Sequence, residues 1–308
     1  MIATILLLSQ LLKKDEPMKI LIFGCGVIGS VYATRFASAG YDVTVYARGR
    51  RLQELQKKGL LYRKNQKVYR SRASVSDSLA GTYDFVFVTV RFEQLLEALQ
   101  DVRQVNCGNI VTMVNNPYGY DECERVLGAG RLIPAFPGAG GVIENGVLKA
   151  DLTPAIIQKT TYGEVSGKHT RRLTELGRIF RHAGIPSEEC PNMMDWQLCH
   201  LGLVVPLADA IYHGNGDNYT AGRNRPIMLR AAEEVQRNLS HLKKTGMTLR
   251  PTKLNLLLTL PTPALASALA KLYCSDFGTQ FIYGHSKKAK TEMITLRNDY
   301  YNILKERA

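Results

Sequence analysis

Hydrophobic positions fall into two regimes along the chain. Over roughly the first 190 residues, short apolar runs alternate with amphipathic stretches; beyond that, apolar residues recur at helical spacing and strand-like alternation does not return. The run Ile20–Phe23 reads as a strand, Val31–Ala39 as a helix and Asp42–Tyr46 as a second strand. A helix is expected over Arg51–Lys58, then a hairpin in LLYRKNQKVYRS turning at Asn65 and Gln66. TYDFVFVTVR is nearly all apolar, as a strand buried on both faces must be, and ends at Thr89, Val90 and Arg91. The helix FEQLLEALQ follows, then the strand NIVTMVNN, which ends at Asn115 and Asn116 before Pro117.

Between Arg131 and Val165 the pattern is extended and rich in glycine, with turns expected over Pro137–Gly141 and at Asn145–Gly146. Two or three strands there should complete the sheet. A helix in TRRLTELGRIFRHAG and a short strand near Ile185 close this part, and a boundary is expected at Pro186–Pro191. In the helical remainder Asn192 is placed to cap the first helix, and Pro206 should kink or end it. The expected division is an extension over 1–17, an α/β dinucleotide-binding domain over 18–189 and an all-α domain over 190–308.

The first strand, turn and helix carry the clearest chemistry. KILIFGCGVIGS spaces Gly24, Gly26 and Gly29 so that the first permits a tight turn, the second lets a pyrophosphate approach the backbone and the third lets helix pack against strand. Unpaired N–H groups at the helix start, around Val27 and Ile28, suit the phosphates. A second strand ending in Asp or Glu would hold a ribose 2′-OH. Here Ala47 and Arg48 stand at that place, followed by Arg50 and Arg51, and a guanidinium can pair with a 2′-phosphate; NADP(H) is therefore expected over NAD(H). Thr89, Arg91 and Asn115 lie at the carboxyl ends of their strands, the edge where open α/β sheets bind ligands. The bland alternatives are a turn former for Asn115 and a surface ion pair for Arg91.

Charge adds a local feature to this outline. Of the net +13, residues 48–72 contribute +9, with ten Lys or Arg against Glu54 alone. Part of that run, notably Arg70 and Arg72, reads as a solvated face. Nucleic acid is not the expected partner, because aromatic residues interleave only at Tyr62 and Tyr69. No stretch is long and apolar enough to span a membrane. The opening MIATILLLSQLLKKDEP lacks the basic start and the cleavage site of a signal, so Met18 reads as the natural start and a cytoplasmic protein is expected; a short surface helix over residues 1–17 is the alternative. The six cysteines show no metal-ligand spacing, and Cys190, Cys199 and His200 do not make a metal site, so they are expected as reduced, mostly buried thiols.

GCGVIG at 24–29, Arg48 after the second strand, VTVR at 88–91, Asn115 and TEM at 291–293 together resemble the ketopantoate reductase family. The resemblance implies a Rossmann-type domain followed by an all-α C-terminal domain, with NADPH and a small 2-oxo acid or ketone in the cleft between them. It also implies that Glu292 contacts substrate; a surface pair with Lys288 or Lys290 is the alternative. Helical domains of this kind often pair, which makes a homodimer one alternative. At the head of the helical part, family members usually read WxKLxxNxxxNP, giving a catalytic lysine and a substrate-binding asparagine. This chain reads DWQLCHLGLVVP, so the lysine position falls on Leu198 or Gln197 and the asparagine position on Gly202 or Leu201. The departure points to a different substrate. His200 is then the first substitute proton donor, with Asp195 and Trp196 near enough on the helix to orient it, or it is a packed core residue. Arg223, Arg225 and Lys290 are candidates for a substrate carboxylate.

Overall fold

The structure is a computed structural model that describes residues 17–283 and 290–307. Its main sheet has eight strands in the order β12-β11-β8-β7-β6-β1-β2-β5. β1 (Lys19–Phe23), β2 (Asp42–Tyr46), β6 (Phe85–Val88), β7 (Ile110–Met113) and β8 (Leu132–Phe136) run parallel, with β5 (Ser74–Ser76) at the edge beside β2. β11 (Thr160–Tyr162) pairs antiparallel with β8 and parallel with β12 (Ser187–Glu189). The central strands β1, β6 and β7 are buried on both faces, as their unbroken apolar runs require. From β1 the strand order runs one way to β2 and the other to β6. That reversal is the topological switch point, and the glycine turn follows β1 directly.

Two expected strands do not complete this sheet. β9 (Ala139–Glu144) and β10 (Val147–Leu152) fold back on each other, turn at Asn145 and Gly146, and join the hairpin β3 (Leu61–Lys64) and β4 (Lys67–Arg70) in a second sheet ordered β4-β3-β10-β9. The reason lies in the helix α1 (Val27–Ser38), eight of whose residues are buried, including Val31, Tyr32, Phe36 and Ala37. One sheet covers one side of such a helix. The second sheet, through Leu148 with Ile143 and Leu152, covers another. α1 also starts at Val27, next to Gly26 and four residues before the hydrophobic run suggests. The β3–β4 turn falls at Asn65 and Gln66, both with positive φ.

Helices α2 (Gly49–Lys58), α3 (Leu95–Arg103), α4 (Asp121–Leu127) and α5 (Arg171–His182) complete the α/β part; α4 and β5 are not legible in the sequence pattern. Beyond β12 the described residues are helical: α6 (Met193–His213), α7 (Asn218–Arg223), α8 (Arg225–Lys244), α9 (Asn255–Thr259), α10 (Thr262–Tyr273) and α11 (Lys290–Glu306). Asn192 caps α6 as expected, its side chain accepting from Asp195 N at 2.9 Å. No single described helix is long and apolar enough to cross a membrane.

Pro206 does not end α6, which continues to His213. A proline cannot donate to the carbonyl four residues back, and here that carbonyl belongs to Gly202. Asn238 of α8 takes it over, its Nδ2 donating to Gly202 O at 3.2 Å from a fully buried position. A buried carbonyl left without a donor costs about 1–3 kcal/mol. Asn238→Leu should therefore lower stability by about that much in urea denaturation. Pro206→Ala in the same background should recover part of the loss, because the helix then supplies its own N–H.

Candidate functional site

The site is built outward from the turn between β1 and α1. Gly24 has φ +99°, and its N–H donates to Tyr46 O at 3.2 Å, which ties the turn to β2. A Cβ on Gly29 would lie 2.0 Å from Gly24 O and 2.5 Å from Thr89 Oγ1, so only glycine lets α1 come this close. A Cβ on Gly26 would meet nothing within 4 Å. The three glycines thus divide the work as a dinucleotide turn requires: one turns, one packs and one faces open space. α1 has neither a side-chain cap nor an acidic residue in its first turn, and Ser30 is the first N–H to close back on the helix, onto Gly26 O. The N–H groups of Val27 and Ile28 at this end are the ones a pyrophosphate would take up.

The arginines after β2 separate into different tasks. Arg51, at 20% side-chain exposure, turns inward: Nε donates to Cys25 O at 3.0 Å, one terminal nitrogen reaches Ser30 Oγ at 3.5 Å and the other pairs with Glu54. It braces the glycine turn. Arg48 stays half exposed, its guanidinium 5.9 Å from the Phe23 ring centroid and 6.0 Å from that of Tyr46, at the ends of β1 and β2. Asp101 at 3.4 Å and Glu97 at 3.8 Å share its charge. Exposed pairs of this kind are worth about 1 kcal/mol or less, so an incoming phosphate can displace them. Arg50 lies exposed in the first turn of α2, which holds no acid.

Thr89, expected at the ligand edge, is also a brace: Oγ1 donates to Gly24 O at 2.7 Å. Arg91 stands at the end of β6 with Glu93 3.9 Å away. Asn115, at the end of β7, is 8% exposed, and its Oδ1 is sealed with no hydrogen-bond partner among the described residues. Its neighbour Asn116 is spent on the local turn, donating to Gly119 O and accepting from Tyr118 N.

From the helical part, Glu292 of α11 reaches across to this edge. It is 7% exposed, Oε1 accepts from Phe92 N at 3.5 Å, and burial pushes its carboxyl above the usual carboxylate range, with Glu93 adding to the rise and Arg91 opposing it. This is a buried position rather than a surface one, and Lys288 lies outside the described residues. Lys290 instead sits over the Tyr212 ring at 5.5 Å, Arg223 over Tyr219 at 5.9 Å, and Arg225 is exposed at the start of α8.

The positions of the family lysine and asparagine are all buried. Gln197 is 1% exposed, with Nε2 donating to Val114 O at 2.9 Å and Oε1 accepting from Asn116 N at 3.4 Å, so both ends of its amide hold the β7 edge. Leu198 and Leu201 are in the helical core. A Cβ on Gly202 would stand 2.7 Å from Tyr300 Oη, which leaves no room for an asparagine. His200 stacks on Trp196 with ring centroids 5.1 Å apart and lies 4.2 Å from the Phe136 ring. Both line a cavity of about 290 Å³ whose wall includes neither Asn115 nor Glu292. Asp195 supplies a backbone N–H to the helix cap. Cys199 is buried, its thiol pushed up to about 11 by burial, and no group of three or more metal-ligating side chains occurs among the described residues. Phe136, and the backbone role of Gln197, escape sequence reasoning because nothing in their own neighbourhood shows what they will face.

Comparison with known proteins bears on this geometry. Residues 20–163 match the family model for ketopantoate reductase PanE/ApbA. The chain is 27% identical over 188 residues to the 2-dehydropantoate 2-reductase of Pyrococcus horikoshii, covering 58% of this chain and 58% of that enzyme. It is 28% identical over 213 residues to that of Mesorhizobium japonicum, covering 63% and 61%. The chain thus spans less than two thirds of the length of these relatives. Among solved structures it resembles 2-dehydropantoate 2-reductase from Geobacter metallireducens at TM-score 0.64 and 16% identity, covering 93% of this chain and 100% of that one. It also resembles D-mandelate dehydrogenase, solved with NADH and anilino(oxo)acetate, at TM-score 0.65 and 14% identity, covering 94% and 99%. These structures show the shared fold, a Rossmann-type α/β domain followed by a helical region. The likeness to the ketopantoate reductase family is thus carried by the α/β domain.

The glycine turn makes a direct prediction. Gly29→Ala should lower stability by about 1–3 kcal/mol through the forced contact with Gly24 O and Thr89. Gly26→Ala should leave the melting temperature nearly unchanged yet weaken dinucleotide binding at least tenfold. Thermal denaturation and NADPH titration of the two variants check both outcomes.

Proposed function

We propose that this chain is a member of the ketopantoate reductase family and an NADP(H)-dependent reductase of a small 2-oxo acid or related ketone other than ketopantoate. The observation that carries the cofactor assignment is the open face of Gly26 beside the uncapped start of α1, with Arg48 and Arg50 at the end of β2 and no carboxylate in the first turn of α2. A bound nicotinamide supplies hydride to the carbonyl carbon. The α1 N–H groups hold the pyrophosphate, and Arg48 and Arg50 hold the 2′-phosphate, while Arg51 and Thr89 keep the turn rigid. Arg91 and Asn115 lie at the same edge. The sealed, unpartnered Oδ1 of Asn115 is an acceptor that a ligand amide or hydroxyl can satisfy once the side chain turns toward it.

Reduction also needs a proton for the developing alkoxide. His200 and Glu292 are the two candidates. Glu292 is better placed: its carboxyl sits at the β6 edge beside Arg91, and burial favours its protonated form. His200 faces a different cavity, with Trp196. With Gln197 committed to the backbone and Gly202 packed against Tyr300, the lysine and asparagine that the resemblance implies are absent, which supports a different substrate.

The same commitment of Gln197 favours a second reading, an NADP(H)-binding sensor or scaffold without reductase chemistry. A panel of 2-oxo acids separates the two: the reductase oxidises NADPH with at least one member, whereas the sensor binds NADPH and oxidises it with none. For the reductase, Arg48→Ala should raise KM for NADPH about tenfold or more, as loss of a charge-assisted hydrogen bond predicts, and change that for NADH little. Its kcat should fall as pH rises through the elevated Glu292 pKa. Glu292→Gln should lose most activity and that limb of the profile, while His200→Ala should keep it. The stability linkage has the same sign. A carboxyl whose pKa is raised on folding stabilises below its unfolded pKa, and that contribution is lost as pH rises through the folded pKa, so the melting temperature of wild type should fall relative to Glu292→Gln over that range.

A further inference from the structure

We propose that the cavity beside Trp196 and His200 is a binding site for a small monocarboxylate with an apolar body, separate from the residues assigned to the dinucleotide. Its volume of about 290 Å³ lies at the lower end of the range for ligand pockets, which fits a ligand smaller than a drug-sized molecule. The walls come from both parts of the chain: the loop over 155–159, Thr161 of β11 and Glu188 of β12 on one side, α6 and the segment 251–254 on the other.

The floor is apolar, formed by the Trp196 indole with Leu203 and Leu254. His200 lies against the indole at an interplanar angle of 10°, so the two rings hold each other in place. Cationic groups sit around this floor. Lys253 donates to Ile156 O at 2.7 Å and to Ile157 O at 2.6 Å, and no carboxylate pairs with it among the described residues. Those two carbonyls fix the ammonium in place and leave one of its three N–H donors for a ligand. Lys159 is already paired with Glu188 at 3.3 Å.

This donor set selects the charge of the ligand. Lys253 is exposed, so a neutral apolar molecule gains nothing from its ammonium, whereas a carboxylate gains a pair with it. A dianion such as a phosphate monoester meets Glu188 and the two carbonyl oxygens as well as Lys253, which disfavours it. A single carboxylate matches the one uncompensated cation, and its hydrocarbon body covers Trp196 and Leu203. The site needs neither hydride transfer nor a bound dinucleotide, so it stands apart from the reductase reading.

Trp196 is the only tryptophan in the chain, so its fluorescence reports on this cavity. Full-length protein is titrated with 4-methylpentanoate, propanoate and the neutral 4-methylpentanamide, with saturation-transfer NMR of each ligand in parallel. The expected result is saturable binding of 4-methylpentanoate, affinity lower by about fourfold for each methylene removed, and at least tenfold weaker binding of the amide. Lys253→Gln should weaken the acid at least tenfold, and Leu203→Phe, which fills the floor without touching the charge, should block it. NADPH titration and thermal melting of both variants show that the fold is intact; if Lys253→Gln melts early, Leu203→Phe and the acid–amide comparison decide. Absence of saturable binding by both readouts, equal affinity for acid and amide, or unchanged binding in the intact variants overturns the proposal.

Discussion

The close approach of α1 to the end of β1 is the constraint on which the rest of the α/β domain depends. It exists because Gly29 has no Cβ to collide with Gly24 O and Thr89. That contact sets where α1 begins, and so where its unsatisfied N–H groups point. Two long-range bonds then hold the turn, from Thr89 Oγ1 to Gly24 O and from Arg51 Nε to Cys25 O. The start of α1 is rigid in this sense: its N–H donors are fixed by packing, which would spare an anion there the ordering cost of binding.

The helical part depends on a different compensation. Pro206 removes one hydrogen bond from α6, and Asn238 restores a partner for the Gly202 carbonyl. Close packing of Tyr300 on Gly202 follows the same economy of space. At the positions where the resemblance places a lysine and an asparagine, the helix instead turns Leu198 and Leu201 into its own core and spends Gln197 on the β7 edge. The positions that depart from the family pattern are here the ones that pack the helix.

How much of this was legible in the sequence depends on how local the cause is. The glycine turn, the central strands, the Asn65–Gln66 and Asn145–Gly146 turns and the Asn192 cap are each decided by residues a few positions apart, and each is visible in the pattern. Strands β9 and β10 were legible as strands but not in their partners, since alternation is blind to which sheet a hairpin joins; the apolar circumference of α1 decides that. Arg48 and Arg51 look alike as neighbours, yet one lies over Phe23 and Tyr46 and the other turns in toward Cys25. The continuation of α6 through Pro206 depends on Asn238, and the setting of Lys253 on a loop nearly a hundred residues away, so neither has a local signature.

Among the described residues, three sets of side-chain-to-backbone hydrogen bonds join the helical part to this edge: Glu292 to Phe92 N, Gln197 to the backbone at Val114 and Asn116, and Lys253 to the carbonyls of Ile156 and Ile157. They fall at the end of β6, the end of β7 and the loop before β11, and so span the edge rather than cluster at one point. In each, a side chain from the helical part meets backbone of the α/β part. Such bonds tolerate substitution of the α/β side chains but not displacement of its strands. Whatever occupies the edge between them must therefore be accommodated by side-chain rotation or by breaking a contact, and Asn115, whose sealed Oδ1 has no partner among the described residues, gains a partner if rotation brings it to one.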